Sequence, residues 1–299
     1  MSLKGMMTGR KAYKAHGNGN YAEAMKLYEE AWNEGMDNPR WILGYTVLLL
    51  RDGQYAKARE ILVKLQKNPA LGPELKNQLF INYAAAVFRM GEMEKGVRLL
   101  ERQHEHAPSG LIYQTLGYLY VEKYLPENTP DFDALEAAAR AEAAEATAKE
   151  AAEAAEAAEA GETGDAAETE EAAEAPAAPA EAKPSAREEW AKAVEKAEAF
   201  IRESVEYDDE DSVCLDNLGQ WLYRVRDDKV GAKEWFEKAL KIKPGQIDTL
   251  WFLSRYDLDN GDNQAALKKI EDILDNGRFS PLNFVDKKMA EDELARLKG

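Results

Sequence analysis

The chain has 299 residues, one cysteine and a net charge of −17, from 39 Lys+Arg against 56 Asp+Glu. That charge argues against a general nucleic-acid binder and against docking on anionic lipid. The single Cys214 excludes an intrachain disulfide or a multi-cysteine zinc site, so nothing demands an oxidising compartment. The longest mostly apolar run, Trp41 to Leu50, falls far short of the roughly 20 residues of a spanning helix. No apolar stretch follows the basic residues of 1–14, so no secretory signal is expected there, and a soluble cytoplasmic protein is expected.

From the N-terminus, Gly19-Asn20-Tyr21-Ala22-Glu23-Ala24 recurs 34 residues on as Gly53-Gln54-Tyr55-Ala56-Lys57-Ala58. It returns as Gly91-Glu92-Met93-Glu94-Lys95-Gly96, four residues late, which fits a longer loop around Pro69 to Pro73. Before and after each glycine lies an apolar stretch of helical spacing. Ala24, Tyr28 and Ala31, and later Ala232, Phe236 and Ala239, stand four and three apart on one helix face. Pro108 and Pro244 close units where a helix must stop. Leu111 to Tyr124 is a further first helix, but Leu125-Pro126-Glu127-Asn128 follows it in place of a second.

Residues 141–180 hold 20 Ala, 11 Glu and Asp165 against Lys149, a net −11 that leaves −6 on the rest of the chain. No large apolar residue follows Leu135 until Trp190, so residues 136–160 are expected to form a solvated, fraying helix. From Gly161 on, Gly164, Pro176, Pro179 and Pro184 interrupt it, and disorder is expected. The segment reads as a spacer, with an acidic arm over the protein's own groove as the alternative. The partner for Leu111 to Tyr124 appears only at Glu188 to Tyr207, with Ala193, Ala197, Phe200, Ile201 and Ser204 on or beside one face. Pairing these two helices buries two stripes that would otherwise be exposed.

The hairpin pattern resumes at Leu218-Gly219, with Trp235-Phe236-Glu237-Lys238-Ala239-Leu240 and Pro244, and again at Gly261-Asp262-Asn263-Gln264-Ala265-Ala266. Ser280-Pro281 then reads as an N-cap and first-turn pair opening a polar capping helix to Lys298. No stretch alternates with period two over strand length.

These motifs resemble the tetratricopeptide repeat family, with its 34-residue period, small residue in the first helix, Gly-Asp/Asn-Tyr turn and closing Pro. Departures are Lys11 where Leu is usual, Gly96 in place of Ala, and Arg226-Asp227-Asp228, where the turn has lost its glycine. The resemblance implies an all-α fold, a right-handed solenoid of about six helical hairpins beginning near residues 5, 39, 77, 110, 212 and 246. Ala12, Ala84, Gly117 and Gly219 would let paired helices approach closely. The division is 1–124 for units one to three and the first helix of unit four, 125–187 for the insertion, and 188–299 for the remainder with its capping helix.

Chemical motifs are few. His104-Glu105-His106 is spaced by two, so its imidazoles point apart on a helix, and it reads as a solvated terminus. Asp257 to Asp262 resembles a calcium loop, but the Gly arrives one residue early and Lys268 stands where a bidentate Glu belongs. Asp208-Asp209-Glu210-Asp211 reads as a solvated loop. With no phosphate loop, dinucleotide turn or nucleophile elbow, neither an enzyme nor a cofactor is expected.

In this family the first helices line a concave surface. The positions so implied are Tyr13, Arg51, Asn82, Phe88, Arg89, Gln114, Tyr118, Asn217, Gln220, Tyr223, Arg224, Trp251 and Arg255. Amides suit a peptide backbone, Arg suits carboxylates and aromatics supply contact area. Arg89, Arg224 and Arg255 are expected to share one hollow and attract a carboxylate-bearing protein or peptide. Reversing all three to Glu is expected to abolish capture and leave the fold intact. The clamp that some relatives use on acidic chaperone tails is absent, since its places hold Gly9, Tyr13, Gly44, Gln78 and Asn82. The expected function is a non-enzymatic adaptor. The alternative is a structural scaffold acting through the convex face and ends, tethered to a membrane if an N-terminal anchor precedes this sequence.

Overall fold

The computed structural model describes residues 2–160, 184–276 and 278–299, with backbone alone at 154–160 and 276. The disorder expected from Gly161 onward lies outside these residues, apart from Pro184. The described residues are helical and contain no strand. They run in chain order as α1 (Leu3–Gly17), α2 (Tyr21–Asn33), α3 (Pro39–Arg51), α4 (Tyr55–Leu65), α5 (Pro73–Arg89), α6 (Met93–His106), α7 (Gly110–Lys123), α8 (Phe132–Ala160), α9 (Ala186–Tyr207), α10 (Ser212–Gln220), α11 (Lys229–Ile242), α12 (Ile247–Asp259), α13 (Asn263–Asn276) and α14 (Lys287–Lys298). The contacts fall into two compact units, one of residues 1–127 with 197–299 and one of residues 128–196.

In the larger unit, hairpins α1–α2, α3–α4, α5–α6, α10–α11 and α12–α13 pack helix on helix. Gly19, Gly53, Gly91 and Gly261 take φ between 77° and 81° in the turns. Only glycine occupies that left-handed region without cost. Where the fifth hairpin lacks its glycine, Asp227 supplies the conformation instead, at φ 51°. Just before it, α10 continues through a π-helical turn, Trp221–Val225. Such a turn inserts a residue and redirects the side chains beyond it.

Within and between the hairpins small residues set the spacing. A Cβ on Gly219 would stand 2.7 Å from the ring of Phe236. One on Gly117 would stand 2.9 Å from Asn217 Nδ2. The α7 helix meets residues 197–207 of α9 through an aromatic cluster. Tyr113 and Tyr120 lie 5.1 and 5.4 Å from Phe200, ring centre to ring centre. His104 joins that cluster, 4.8 Å from Tyr113 and 5.0 Å from Phe200. It is therefore a packing residue and not a solvated terminus; the two rings draw it inward.

The smaller unit holds α8 and the start of α9. Phe132 meets Trp190 at 6.4 Å, and the Arg187 guanidinium lies 4.9 Å over Phe132. Beyond Glu136, α8 is exposed all round as far as residue 153, as an Ala/Glu helix without an apolar stripe must be. Deleting residues 136–184 behind a short Gly/Ser link is expected to leave the melting transition almost unmoved, since loop closure changes by about 0.6 kcal/mol per doubling of length. A drop of about ten degrees, the equivalent of more than 2 kcal/mol in a chain of this size, would show that the segment is packed.

The capping helix begins later than Ser280-Pro281 predicts. Asp286 caps α14, accepting the N–H of Met289 at 2.8 Å. Residues 278–286 form no helix. Ser280 and Asn283 instead close a local turn, each accepting a backbone N–H of the other. The amides of Phe284 and Val285 are taken up elsewhere, which removes the first turn of the expected helix.

Candidate functional site: the face of the first helices

The first helices α3, α5, α7 and α10 lie side by side, and a ladder of buried polar groups ties them together. Asn82 Nδ2 donates to Thr46 Oγ1 at 3.0 Å and Asn82 Oδ1 accepts from Gln78. Asn217 Nδ2 donates to the carbonyl of Gln114 at 2.8 Å, while the Gln114 side chain donates to Asp211. Gln220 donates to Asp216, and Thr249 on α12 donates to the same carboxylate. All three amides are buried, Asn82 and Asn217 bonded to the neighbouring helix and Gln220 to Asp216 and Arg224 one turn away. A buried amide has to find a partner, and these find theirs on the adjacent helix or one turn away. Tyr223 is likewise committed, its ring 5.1 Å from Phe252 and 5.8 Å from Tyr256. Trp251 is half-buried beneath the Arg255 guanidinium.

Arg89, Tyr118 and Arg224 converge on the chain's own residues 280–286. Arg89 Nε donates to the carbonyl of Pro281 at 2.6 Å and its Nη2 to that of Asn283 at 3.0 Å. Tyr118 Oη donates to the Asn283 carbonyl at 3.1 Å. Asp248 on α12 accepts the N–H groups of Phe284 and Val285, both at 3.0 Å, and Nδ2 of Asn283. Phe284 stacks on Phe252 at 5.3 Å and lies under the Arg224 guanidinium at 4.1 Å. Leu282 packs on the N-terminal core cluster and Val285 is fully buried in the C-terminal one. A strap that turns between Ser280 and Asn283 and bends at Phe284 therefore crosses the face of α5, α7 and α12, held mainly through its backbone. Arg51 and Tyr13 lie away from these contacts and are exposed, Arg51 stacking on Tyr21 at 5.3 Å.

The three arginines are spoken for. Arg89 binds carbonyls, Arg224 pairs with Glu122 at 2.5 Å, and Arg255 pairs with Glu293 of α14 at 2.6 Å. The Arg224–Glu122 pair is nearly buried. Reversing all three to Glu would strand Glu122 and Glu293 beside new carboxylates, so it would not spare the fold. Breaking a buried pair by removing one partner typically costs about 3–5 kcal/mol.

Between the strap and the helices lies a polar cavity of about 700 Å³, lined by Tyr118, Asp216, Asn217, Gln246, Asp248 and Asn283 among others. Burial raises both carboxyls, Asp216 to about 7, with the Asp248 charge as the next cause; Thr249, Gln220 and Arg224 oppose the rise. A carboxyl whose folded pKa exceeds its unfolded value binds its proton more tightly when folded. Its contribution to stability is therefore full in acid and is lost as pH rises from about 4 to about 7. The difference in melting temperature between wild type and Asp216→Asn is expected to shift by the equivalent of roughly 1–3 kcal/mol between pH 5 and pH 8, to the advantage of the variant at pH 8. A difference independent of pH would contradict this. Comparing the two proteins cancels His16, whose pKa burial lowers and which titrates in the same range.

Cys214 is buried, and burial pushes its thiol up to about 12, so it serves packing. Asp211 caps α10, and Asp257 pairs with Lys269 beside the Gly261 turn, so neither acidic loop is a free ligand cluster. No group of His, Cys, Asp or Glu suited to a metal ion occurs among the described residues. No helix among them is long and apolar enough to cross a membrane.

The architecture is that of an α-solenoid of helical hairpins, a class whose members act as protein-interaction scaffolds. The tetratricopeptide repeat profile matches residues 15–77. Over 87% of this chain and 99% of the other, the fold is similar to that of a thermophilic tetratricopeptide-repeat protein of Thermus thermophilus, at 13% identity and a TM-score of 0.54. It is also similar to PilW, a widely conserved type IV pilus biogenesis factor, over the full length of both chains at 11% identity and a TM-score of 0.52. No curated protein matches the sequence significantly. The tetratricopeptide repeat is thus shown for residues 15–77, and beyond them the likeness is one of fold.

Proposed function

We propose that this protein is a non-enzymatic adaptor that holds a peptide or partner segment in the groove of its first helices. The observation that supports this reading is the strap. Arg89, Tyr118 and Asp248 bond its carbonyl and amide groups, which any peptide backbone presents. A photo-reactive residue at Tyr13 or Arg51, both exposed on first helices, is expected to crosslink a partner in a lysate of the source organism.

A second reading is a structural scaffold working through the second helices. It draws on a shallow hollow lined by Ala56, Val63 and Met90, of which Val63 and Met90 are exposed apolar residues. A crosslinker at Val63 discriminates the two. Partner crosslinks there and none from Tyr13 or Arg51 would favour the scaffold.

A further inference from the structure

We propose that residues 280–286 are a displaceable stand-in for the partner, so that the groove is closed in the resting protein and the partner is a peptide that carries the strap's own pattern and takes up its turn. This inference rests on the adaptor reading and specifies the ligand that reading leaves open.

Three observations carry it. First, the strap is held as a ligand is held. Four of its main-chain groups, the carbonyls of Pro281 and Asn283 and the amides of Phe284 and Val285, bond to side chains of α5, α7 and α12. None of these contacts depends on the strap's side chains, so an incoming backbone can replace them one for one. Second, selectivity is confined to apolar positions. Leu282 enters the core formed with α3 and α5, Phe284 lies between Phe252 and Arg224, and Val285 is fully buried. The partner is therefore an apolar residue, any residue, then an aromatic residue followed by a β-branched one. Third, the arginines do not call for a terminal carboxylate. Arg89 is satisfied by carbonyls, and Arg224 and Arg255 by Glu122 and Glu293.

The strap is covalently tethered, so it competes at an effective concentration of the order of millimolar. A free peptide of the same sequence must then bind the intact protein much more weakly than a protein whose strap has been spoiled. The strap can be altered without touching the groove, because its anchoring residues and its own residues belong to different elements.

The test uses the full chain in three forms: wild type, Leu282→Asn with Phe284→Asn, and the milder Asn283→Gly. The milder variant removes only the side-chain bonds of Asn283 to Asp248 and to the Ser280 amide, and it keeps the test open should the double variant not fold. The probe is a fluorescent synthetic peptide of residues 278–286, Arg-Phe-Ser-Pro-Leu-Asn-Phe-Val-Asp, with a control carrying Asn at the Leu and Phe positions of the strap. Binding is read by anisotropy, and oligomeric state by light scattering. The strap-altered proteins are expected to bind the peptide at least about ten-fold more tightly than wild type, the release from a tethered competitor, and the control peptide is expected to bind none of them.

Equal affinity for wild type and variants would show that the strap does not close the groove. Failure of a helical, folded variant to bind, or equal binding of the control, would show that the strap is not a mimic. Dimers of wild type that dissolve in the variants would show that the strap serves a second copy and would overturn the intramolecular form. If the peptide fails while Tyr13 and Arg51 still crosslink a partner, the mimicry falls and the adaptor reading stands. If the peptide binds and no partner crosslinks from any position, the strap contact stands and the adaptor reading loses its support.

Discussion

Phe236→Ala is expected to lower stability by roughly 3–5 kcal/mol, the usual cost of emptying a buried aromatic site. Phe236 is fully buried, stacked on Phe252 at 5.0 Å with ring planes 6° apart, and seated against Gly219, where no side chain has room. It joins the two helices of the fifth hairpin to the first helix of the sixth. Removing it leaves a cavity that Gly219 cannot fill and withdraws the ring on which Phe252 rests. The loss should therefore spread to the C-terminal hairpin. The converse substitution, Gly219→Val, should cost several kcal/mol by overpacking the same contact. Chemical denaturation followed by far-UV dichroism measures both. A change below about 1 kcal/mol for Phe236→Ala would mean that the hairpin is not packed as described.

Asp248→Ala is the second large effect. Asp248 is a buried acceptor for two backbone amides and one side-chain amide. Without it the N–H of Val285, at a fully buried residue, has no partner, at a cost of about 1–3 kcal/mol. Part of that loss is offset, because Asp216 is freed from a neighbouring charge that opposes its ionisation. The variant is therefore expected to be less stable by about 2–3 kcal/mol at pH 5, where the repulsion is weakest, and by less at pH 8. A cost that grows from pH 5 to pH 8 would contradict the coupling of the two carboxyls.

The hairpins were readable because each turn needs a residue at positive φ, and glycine marks that need at a fixed period. The pairing faces were readable because Ala24, Tyr28 and Ala31, or Ala232, Phe236 and Ala239, repeat at helical spacing and are buried in the structure. Polar residues were harder. Asn82, Asn217 and Gln220 carry side chains that suit a peptide, and nothing in their spacing separates a groove position from the seam between two first helices. Asp216 and Asp248 escaped notice because acidic residues on helices are usually solvated. Their one sequence signal was their place within otherwise apolar helices, beside Leu215 and Leu218 and beside Ile247 and Leu250.

The strap was hidden by a local pattern that is sound in itself. Ser280-Pro281 has the chemistry of a helix start, yet tertiary contacts to Phe284 and Val285 outweigh it, and Asp286 provides a competing cap. Likewise the π-helical turn at Trp221–Val225 left only one trace, the glycine missing at Asp227.

The most direct test of a peptide-holding face is amide hydrogen exchange at Phe284 and Val285, read by NMR in the full chain. These two amides lie outside any helix, and their carboxylate acceptor is on α12. In wild type they should exchange far more slowly than in the free peptide of residues 278–286. That protection should disappear in Asp248→Ala while the amides of α7 keep theirs. Exchange at free-peptide rates in the wild-type protein would contradict the account, because no segment would then be held across the first helices.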